Sequence, residues 1–179
     1  TSDPALGKVT LSHPRRPTAT FCPDDVADAA RLIDWLRPLW PETRPEPARV
    51  IRVPGHAMTD PDPPLISINS VSSLADLSAR MGQDLSPHRF RGNIWVDGWR
   101  PWAELGLIGQ EISIGEARLR IEDLIGRCRA TGANPDTGVQ DADTMGALEA
   151  GYGHTDFGVF ARVVGSGRIA VGDEVRVCP

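Results

Sequence analysis

Apolar and polar residues alternate in the stretch Ile112-Ser113-Ile114-Gly115-Glu116-Ala117-Arg118-Leu119-Arg120-Ile121, and a glycine with an acidic residue interrupts the alternation near its centre. A period of two is typical of half-buried strands, and a central glycine-acid pair is typical of a hairpin turn. The pattern recurs at Ile169-Ala170-Val171-Gly172-Asp173, followed by Val175 and Val177. The sequence therefore predicts two β-hairpins.

Short strands outnumber helices along the rest of the chain. Strand patterns cover residues 8–11, 50–53, 65–69, 89–98 and 157–164. Helical patterns cover residues 26–40, 70–81 and 144–150. In the second helix, Ser73 and Asp76 have capping-box spacing, and Gly82 marks its end. Gly151 marks the end of the third helix. This succession predicts a mixed α/β, β-rich fold, a barrel or a sandwich with a few peripheral helices.

Charge and composition restrict the partners of this chain. Its 179 residues carry a net charge of -5, without the basic field that nucleic-acid binding requires. No apolar run approaches the roughly 20 residues of a membrane helix, and no signal peptide opens the chain, so we expect a cytoplasmic protein with no nucleic acid and no membrane as partner. Cys22, Cys128 and Cys178 lack C-x-x-C spacing, which argues against a disulfide framework or a structural zinc site.

Cys128 is the first candidate for chemistry. It lies between Arg127 and Arg129 and precedes the turn-forming run Asn134-Pro135-Asp136-Thr137-Gly138. Neighbouring positive charge favours the thiolate, which binds soft metals or attacks electrophiles. The alternative is that Cys128 is a small buried apolar residue.

Two other places could bind an anion. Ser70, Ser72 and Ser73 stand where a predicted strand passes into a helix, and free N–H groups at such a junction can hold a phosphate. Arg89 and Arg91, two residues apart on a predicted strand, would share one face and could bind phosphate or carboxylate together. The alternatives are a simple helix cap and a solvated strand face.

Several stretches, taken in order, resemble one known family. They are Ser72-Ser73-Leu74-Ala75-Asp76-Leu77, Arg89-Phe90-Arg91-Gly92-Asn93-Ile94, Gly126-Arg127-Cys128, Asn134-Pro135-Asp136-Thr137-Gly138, Asp143-Thr144-Met145, and Phe157-Gly158-Val159-Phe160 leading to Gly167-Arg168-Ile169-Ala170-Val171-Gly172-Asp173. Over residues 65–177 the chain resembles the MOSC family, named for the C-terminal domain of molybdenum cofactor sulfurases. Within it, the likeness is strongest to the branch of the mitochondrial amidoxime reducing component and its bacterial relatives.

The resemblance implies a MOSC-type β-barrel that binds molybdenum cofactor (molybdopterin). By this resemblance Cys128 is the metal ligand and catalytic residue, and Arg91 and Asn93 contact the cofactor. Arg89, Ser70 and Arg127 are further candidates near its phosphate or pterin. It also implies a MOSC domain over residues 65–179, preceded by the remainder of an N-terminal barrel region with one helix over residues 1–64.

Two departures from the family pattern affect this transfer. Gly92 stands where the family often has proline, which loosens the local backbone. Relatives also carry an N-terminal barrel segment whose basic residues help to hold the cofactor phosphate, and residues 1–22 supply no counterpart. The sequence therefore leaves open whether this form of the chain contains the cofactor.

Three functions follow as alternatives. The first is reduction of small N-hydroxylated compounds by oxygen-atom removal, with electrons from a separate reductase because the chain has no flavin or nicotinamide fingerprint. The second is a sulfur or cofactor carrier that uses a Cys128 persulfide without turnover. The third is a non-catalytic barrel. The sequence gives neither the substrate nor the oligomeric state.

Overall fold

The structure, a computed structural model, describes residues 2–3, 7–54 and 65–178. The chain divides into two compact units, Thr1–Ala57 and Met58–Pro179. Residues 55–64, directly before the domain boundary predicted from the sequence, lie outside the described residues. Among the described residues, no helix is long and apolar enough to cross a membrane.

The first unit is a small antiparallel sheet with one helix. Strands β1 (Ser2–Asp3), β2 (Lys8–His13) and β3 (Arg16–Phe21) pair in chain order, and helix α1 spans Val26–Leu36. The Asp25 carboxylate caps α1 by accepting the Asp28 N–H, and a 3-10 turn follows at Arg37–Leu39. Phe21 and Trp35 are buried edge to face. The predicted strand and helix in this unit are confirmed.

The strand predicted over residues 50–53 is wrong. The backbone there belongs to no strand, and the Ile51 side chain is largely exposed. Pro45, Pro47 and Pro54 flank the apolar run, and because proline has no backbone N–H they limit pairing with a neighbouring strand.

The second unit is built on a six-stranded sheet. Its strands are β4 (Ile66–Ser70), β5 (Ile94–Val96), β6 (Glu111–Ile114), β7 (Ala117–Gly126), β8 (Asp156–Gly165) and β9 (Val175–Val177), in the spatial order β5-β4-β8-β7-β6-β9. Only the β4–β5 pair is parallel. The sheet curls into a half-barrel, which confirms the predicted mixed α/β, β-rich class.

Two apolar clusters hold this unit together. One lies against the curled sheet and contains Ile68, Ile112, Leu119, Ile121, Val159 and Ala161, each with at most 1% of its surface exposed. The other joins helices α2 (Val71–Met81) and α3 (Thr144–Tyr152) to the sheet through Leu77, Phe90, Leu148 and Phe157. Strand β7 pairs with both β6 and β8 and ends at Gly126.

Both predicted helices are confirmed, although their ends differ from expectation. Ser70, and not Ser73, is the N-cap of α2, because its hydroxyl accepts the Ser73 N–H. Gly82 ends α2 as predicted, with φ of 62°. Helix α3 continues past Gly151 and ends at Gly153, whose φ of 75° suits glycine.

Only one of the two predicted hairpins forms. Strands β6 and β7 pair around the Gly115-Glu116 turn, as predicted. Residues 169–173 instead form a loop, and β9 pairs with β6. The loop is fixed by the Glu116 N–H, which donates to the Arg168 carbonyl, and by Gly172 at φ of 95°.

Candidate functional site

The Cys128 loop begins where strand β7 ends. The Arg127 N–H donates to the Thr155 carbonyl at 3.0 Å, and Cys128 follows in an extended conformation. The Thr131 N–H and hydroxyl both donate to the Cys128 carbonyl, at 3.2 and 3.0 Å, and the Thr131 hydroxyl also bonds to Thr144. The Cys128 backbone is therefore fixed, while its free thiol is exposed. Cys128 therefore lies on the loop between β7 and α3.

Arg127 points inward beside this thiol. Its guanidinium donates to the carbonyls of Phe157 and Phe90, each at 2.8 Å, and to Asn69 Oδ1 at 2.9 Å. It also lies over the rings of Phe90 and Phe157, at 5.5 and 5.8 Å from their centroids. No carboxylate among the described residues pairs with it. Burial lowers the pKa of Arg127 to about 10, so the side chain keeps its charge at neutral pH.

Asn69 is the neutral partner that holds Arg127, and sequence reasoning missed it. The side chain is fully buried, and within the described residues Asn69 Nδ2 has no hydrogen-bond acceptor. A Cβ at Gly92 would lie 2.0 Å from Asn69 Nδ2, and one at Gly158 would lie 2.0 Å from Asn69 Oδ1. The only sequence signal was Gly158 inside a strand pattern, which can mark a close approach of side chain and backbone.

The packing of this chain explains why position 92 has no side chain. Any side chain at that position would displace the Asn69 amide and with it the Arg127 contact. The departure from the family's proline is therefore matched by a buried asparagine that occupies the same space.

Arg91 and Asn93 flank Gly92 and differ in the hydrogen bonds that their side chains make. Arg91 is exposed in the left-handed region at φ of 51°, and its guanidinium makes no hydrogen bond or ion pair within the described part of the chain. Asn93 Oδ1 accepts from the N–H and hydroxyl of Ser67, at 2.9 and 2.8 Å. Arg91 is thus available to a ligand, and Asn93 joins this loop to β4.

The shared strand face predicted for Arg89 and Arg91 is wrong. Pro87 begins a 3-10 turn over Pro87–Phe90, and Arg91 then turns left-handed. The two guanidinium groups therefore separate. Only 3% of the Arg89 side chain is exposed, and it donates to Asp141 Oδ1 at 2.6 Å and to the Gly132 carbonyl at 3.1 Å. Arg89 fixes the loop that follows Cys128.

Ser70 is also engaged within the fold. It is fully buried, its hydroxyl caps α2, and it lies 2.8 Å from the Ser72 hydroxyl.

Asp141, the partner of Arg89, has its pKa lowered by hydrogen bonds from Asn134 and then from Arg89. The described contacts therefore join Arg89 to the loop that follows Cys128, through Gly132 and Asp141, and use Ser70 at the start of α2.

A cavity of about 660 Å³ lies beside the Cys128 loop. Its lining comprises Arg129, Gly132, Gln140, Asp141, Ala142, Asp143, Thr144 and Met145. Among the described residues, no group of three or more His, Cys, Asp and Glu side chains could hold a metal ion. A metal at Cys128 would therefore need most of its ligands from a cofactor.

The fold and the site define a β-rich half-barrel protein that presents a cysteine between two arginines. A family model described as the MOSC domain matches residues 58–176, more than half of the chain. The chain belongs to the MOSC domain family, whose members are associated with molybdenum cofactor binding. The likeness to the amidoxime-reducing branch stays a prediction.

Two solved structures are similar to this chain. YiiM from Geobacillus stearothermophilus has a TM-score of 0.50 at 18% identity, over 64% of this chain and 54% of that one. The YUAD protein from Bacillus subtilis has a TM-score of 0.48 at 21% identity, over 62% of this chain and 61% of that one. The chain thus spans about half the length of YiiM, with which it shares the fold. No curated protein matches the sequence.

Proposed function

We propose that this protein is a molybdenum-cofactor-binding oxidoreductase that reduces small N-hydroxylated compounds, with Cys128 as the metal ligand. One observation carries the proposal: an exposed thiol on a fixed backbone lies beside a largely buried guanidinium that no carboxylate of the described residues pairs with. A positive charge in this setting favours anionic ligands at the same place.

The donor set around Cys128 fits such a cofactor. A thiol is a soft ligand suited to a redox-active metal, and the exposed guanidinium of Arg91 can bind an anionic cofactor group. Arg127 supplies fixed charge, while Arg89 and Ser70 orient the neighbouring loop and helix. Arg129 brings a further cation to the adjacent cavity.

The proposed reaction consumes two electrons and two protons for each N–OH group, and releases an N–H group and water. When bound, the molybdenum cofactor would supply the two-electron redox chemistry and accept the oxygen atom. The electrons come from a separate reductase, since no nicotinamide or flavin fingerprint occurs in the sequence. The task of the chain is to orient the cofactor through Cys128 and to surround it with fixed positive charge.

An assay with reduced viologen dye and benzamidoxime tests this function. Molybdenum-loaded protein should oxidise the dye only when benzamidoxime is present, and Cys128→Ser should abolish the reaction. Cys178→Ser is the matched control, because Cys178 is a free thiol directly after strand β9 and lies outside the Cys128 loop. A loaded protein that oxidises no dye, or an active Cys128→Ser variant, would refute the proposal.

The exposure of Cys128 also favours a second candidate, a sulfur carrier. An accessible thiolate can accept a sulfur atom from a persulfide donor, which leaves as a thiolate while the Cys128 persulfide forms. Intact-mass spectrometry of the native protein separates the two functions. A gain of one sulfur that reductant removes, located on Cys128, supports the carrier; stoichiometric molybdenum supports the oxidoreductase.

A further inference from the structure

A second cavity lies at the open seam of the half-barrel. Strands β5 and β9 are the outer strands of the sheet, and within the described residues each pairs with a neighbour on one side only. Residues from β5 and from the loop leading into β9 line the same cavity, whose volume is about 670 Å³. The curl of the sheet therefore brings its two unpaired edges to one space, of a size that suits a small organic molecule.

The interior of this seam cavity is apolar. Ile94, Val96, Trp99, Ile114 and Val175 line it and also belong to, or pack against, the apolar cluster of the sheet. Val171, at the cavity edge, is fully exposed. A ligand with an apolar body would remove this surface from water, which is favourable in proportion to the area covered.

The opening of the seam cavity is acidic. Asp97, Asp173 and Glu174 line it and are exposed, while its described lining contains no lysine, arginine or histidine. Glu174 pairs with Arg176 at 2.6 Å, and Asp173 accepts the Ala170 N–H at 2.7 Å. Asp97 accepts only the N–H of Gly98, so no cation neutralises it in the described chain. The opening of the seam cavity therefore carries the negative charge of Asp97 with no cation paired to it in the described chain.

We infer that the seam cavity binds a small organic cation with an apolar body, such as an arylalkyl ammonium ion. The apolar floor takes the body, and the Asp97 carboxylate accepts the N–H groups of the cation. This site goes beyond the proposed function: it shares Asn93 with the candidate cofactor residues, but neither Cys128 nor any arginine lines it.

Isothermal titration calorimetry with three matched ligands tests the inference on metal-free protein. The ligands are 2-phenylethylammonium, neutral 2-phenylethanol and anionic 3-phenylpropanoate. The cation should bind about fivefold more tightly than the alcohol at low salt, since an exposed ion pair contributes up to about that factor. The anion should bind least, and salt should reduce the difference. Equal binding of cation and alcohol, or no binding of the cation, would overturn the inference.

Variants locate the binding at the seam. Asp97→Asn should weaken cation binding by about threefold, while Asp84→Asn, an equal charge change at an exposed residue outside the cavity, should leave it unchanged. Ala170→Trp, at an exposed lining position, should block the cavity and abolish binding while circular dichroism stays native. Undiminished binding to a folded Ala170→Trp variant, or equal effects of the two aspartate variants, would show that the cation binds elsewhere.

Discussion

Replacing Gly158 with alanine tests the packing that holds Arg127 beside Cys128. Gly158 has φ of 80°, and a Cβ there would lie 2.0 Å from Asn69 Oδ1 and 2.7 Å from the Ile68 carbonyl. The left-handed conformation alone costs alanine about 1–2 kcal/mol. Displacing the Asn69 amide removes its hydrogen bond to a charged group, which contributes about 1.5–3 kcal/mol. We therefore expect Gly158→Ala to lower the free energy of unfolding by about 2.5–5 kcal/mol.

Gly153→Ala is the matched control. Its φ of 75° imposes nearly the same backbone penalty, but nothing lies within 4 Å of the added Cβ. The control should lose only about 1–2 kcal/mol. Urea unfolding, monitored by hydrogen exchange of the β8 amides, measures the free energy of unfolding of the second unit in both variants. Equal losses for the two variants would refute the claim that Asn69 and Gly158 are packed against each other.

Two further predictions concern other buried polar contacts. Glu104 is fully buried beside the Ser73 hydroxyl, and burial raises the pKa of its carboxyl. The unfolded chain ionises this carboxyl at lower pH than the folded protein does. The stability of the wild type should therefore fall relative to that of Glu104→Gln as the pH rises from about 4 to 7. Urea midpoints of both proteins across that range measure the effect, and a constant difference would contradict it. Tyr152→Phe removes a hydrogen bond to Asp76, which also accepts from Trp102 Nε1. The variant should lose about 1 kcal/mol of unfolding free energy in the same assay. An unchanged midpoint would show that the Tyr152 hydroxyl contributes nothing to stability.

The parts of the fold that depend on local pattern were predictable from the sequence. The hairpin of β6 and β7 needs only neighbouring residues that alternate around Gly115-Glu116. Its apparent repeat at residues 169–173 has the same local pattern but forms a loop, because Val175 and Val177 pair with β6. The pairing partner of a short strand is a tertiary choice that local pattern does not contain.

The candidate site was predictable at Cys128 and less so around it. The thiol and its arginine neighbours are adjacent in sequence, so their proximity needs no fold. Arg89 and Arg91 separate because one residue adopts a left-handed conformation, which alternation cannot reveal. The contact between Asn69 and Arg127 joins a residue of β4 to the residue that follows β7, 58 positions apart, and only the sheet brings them together.

The molybdenum content of the purified protein tests the central claim most directly. Protein from a host that makes the cofactor should carry about one molybdenum atom per chain, measured by inductively coupled plasma mass spectrometry. The Cys178→Ser control should carry the same amount. Cys128→Ser should carry almost none while keeping the urea midpoint of the wild type, because the Cys128 side chain is exposed. Molybdenum retained in full by a folded Cys128→Ser variant, or absent from the wild type, would contradict the assignment of Cys128 as the metal ligand.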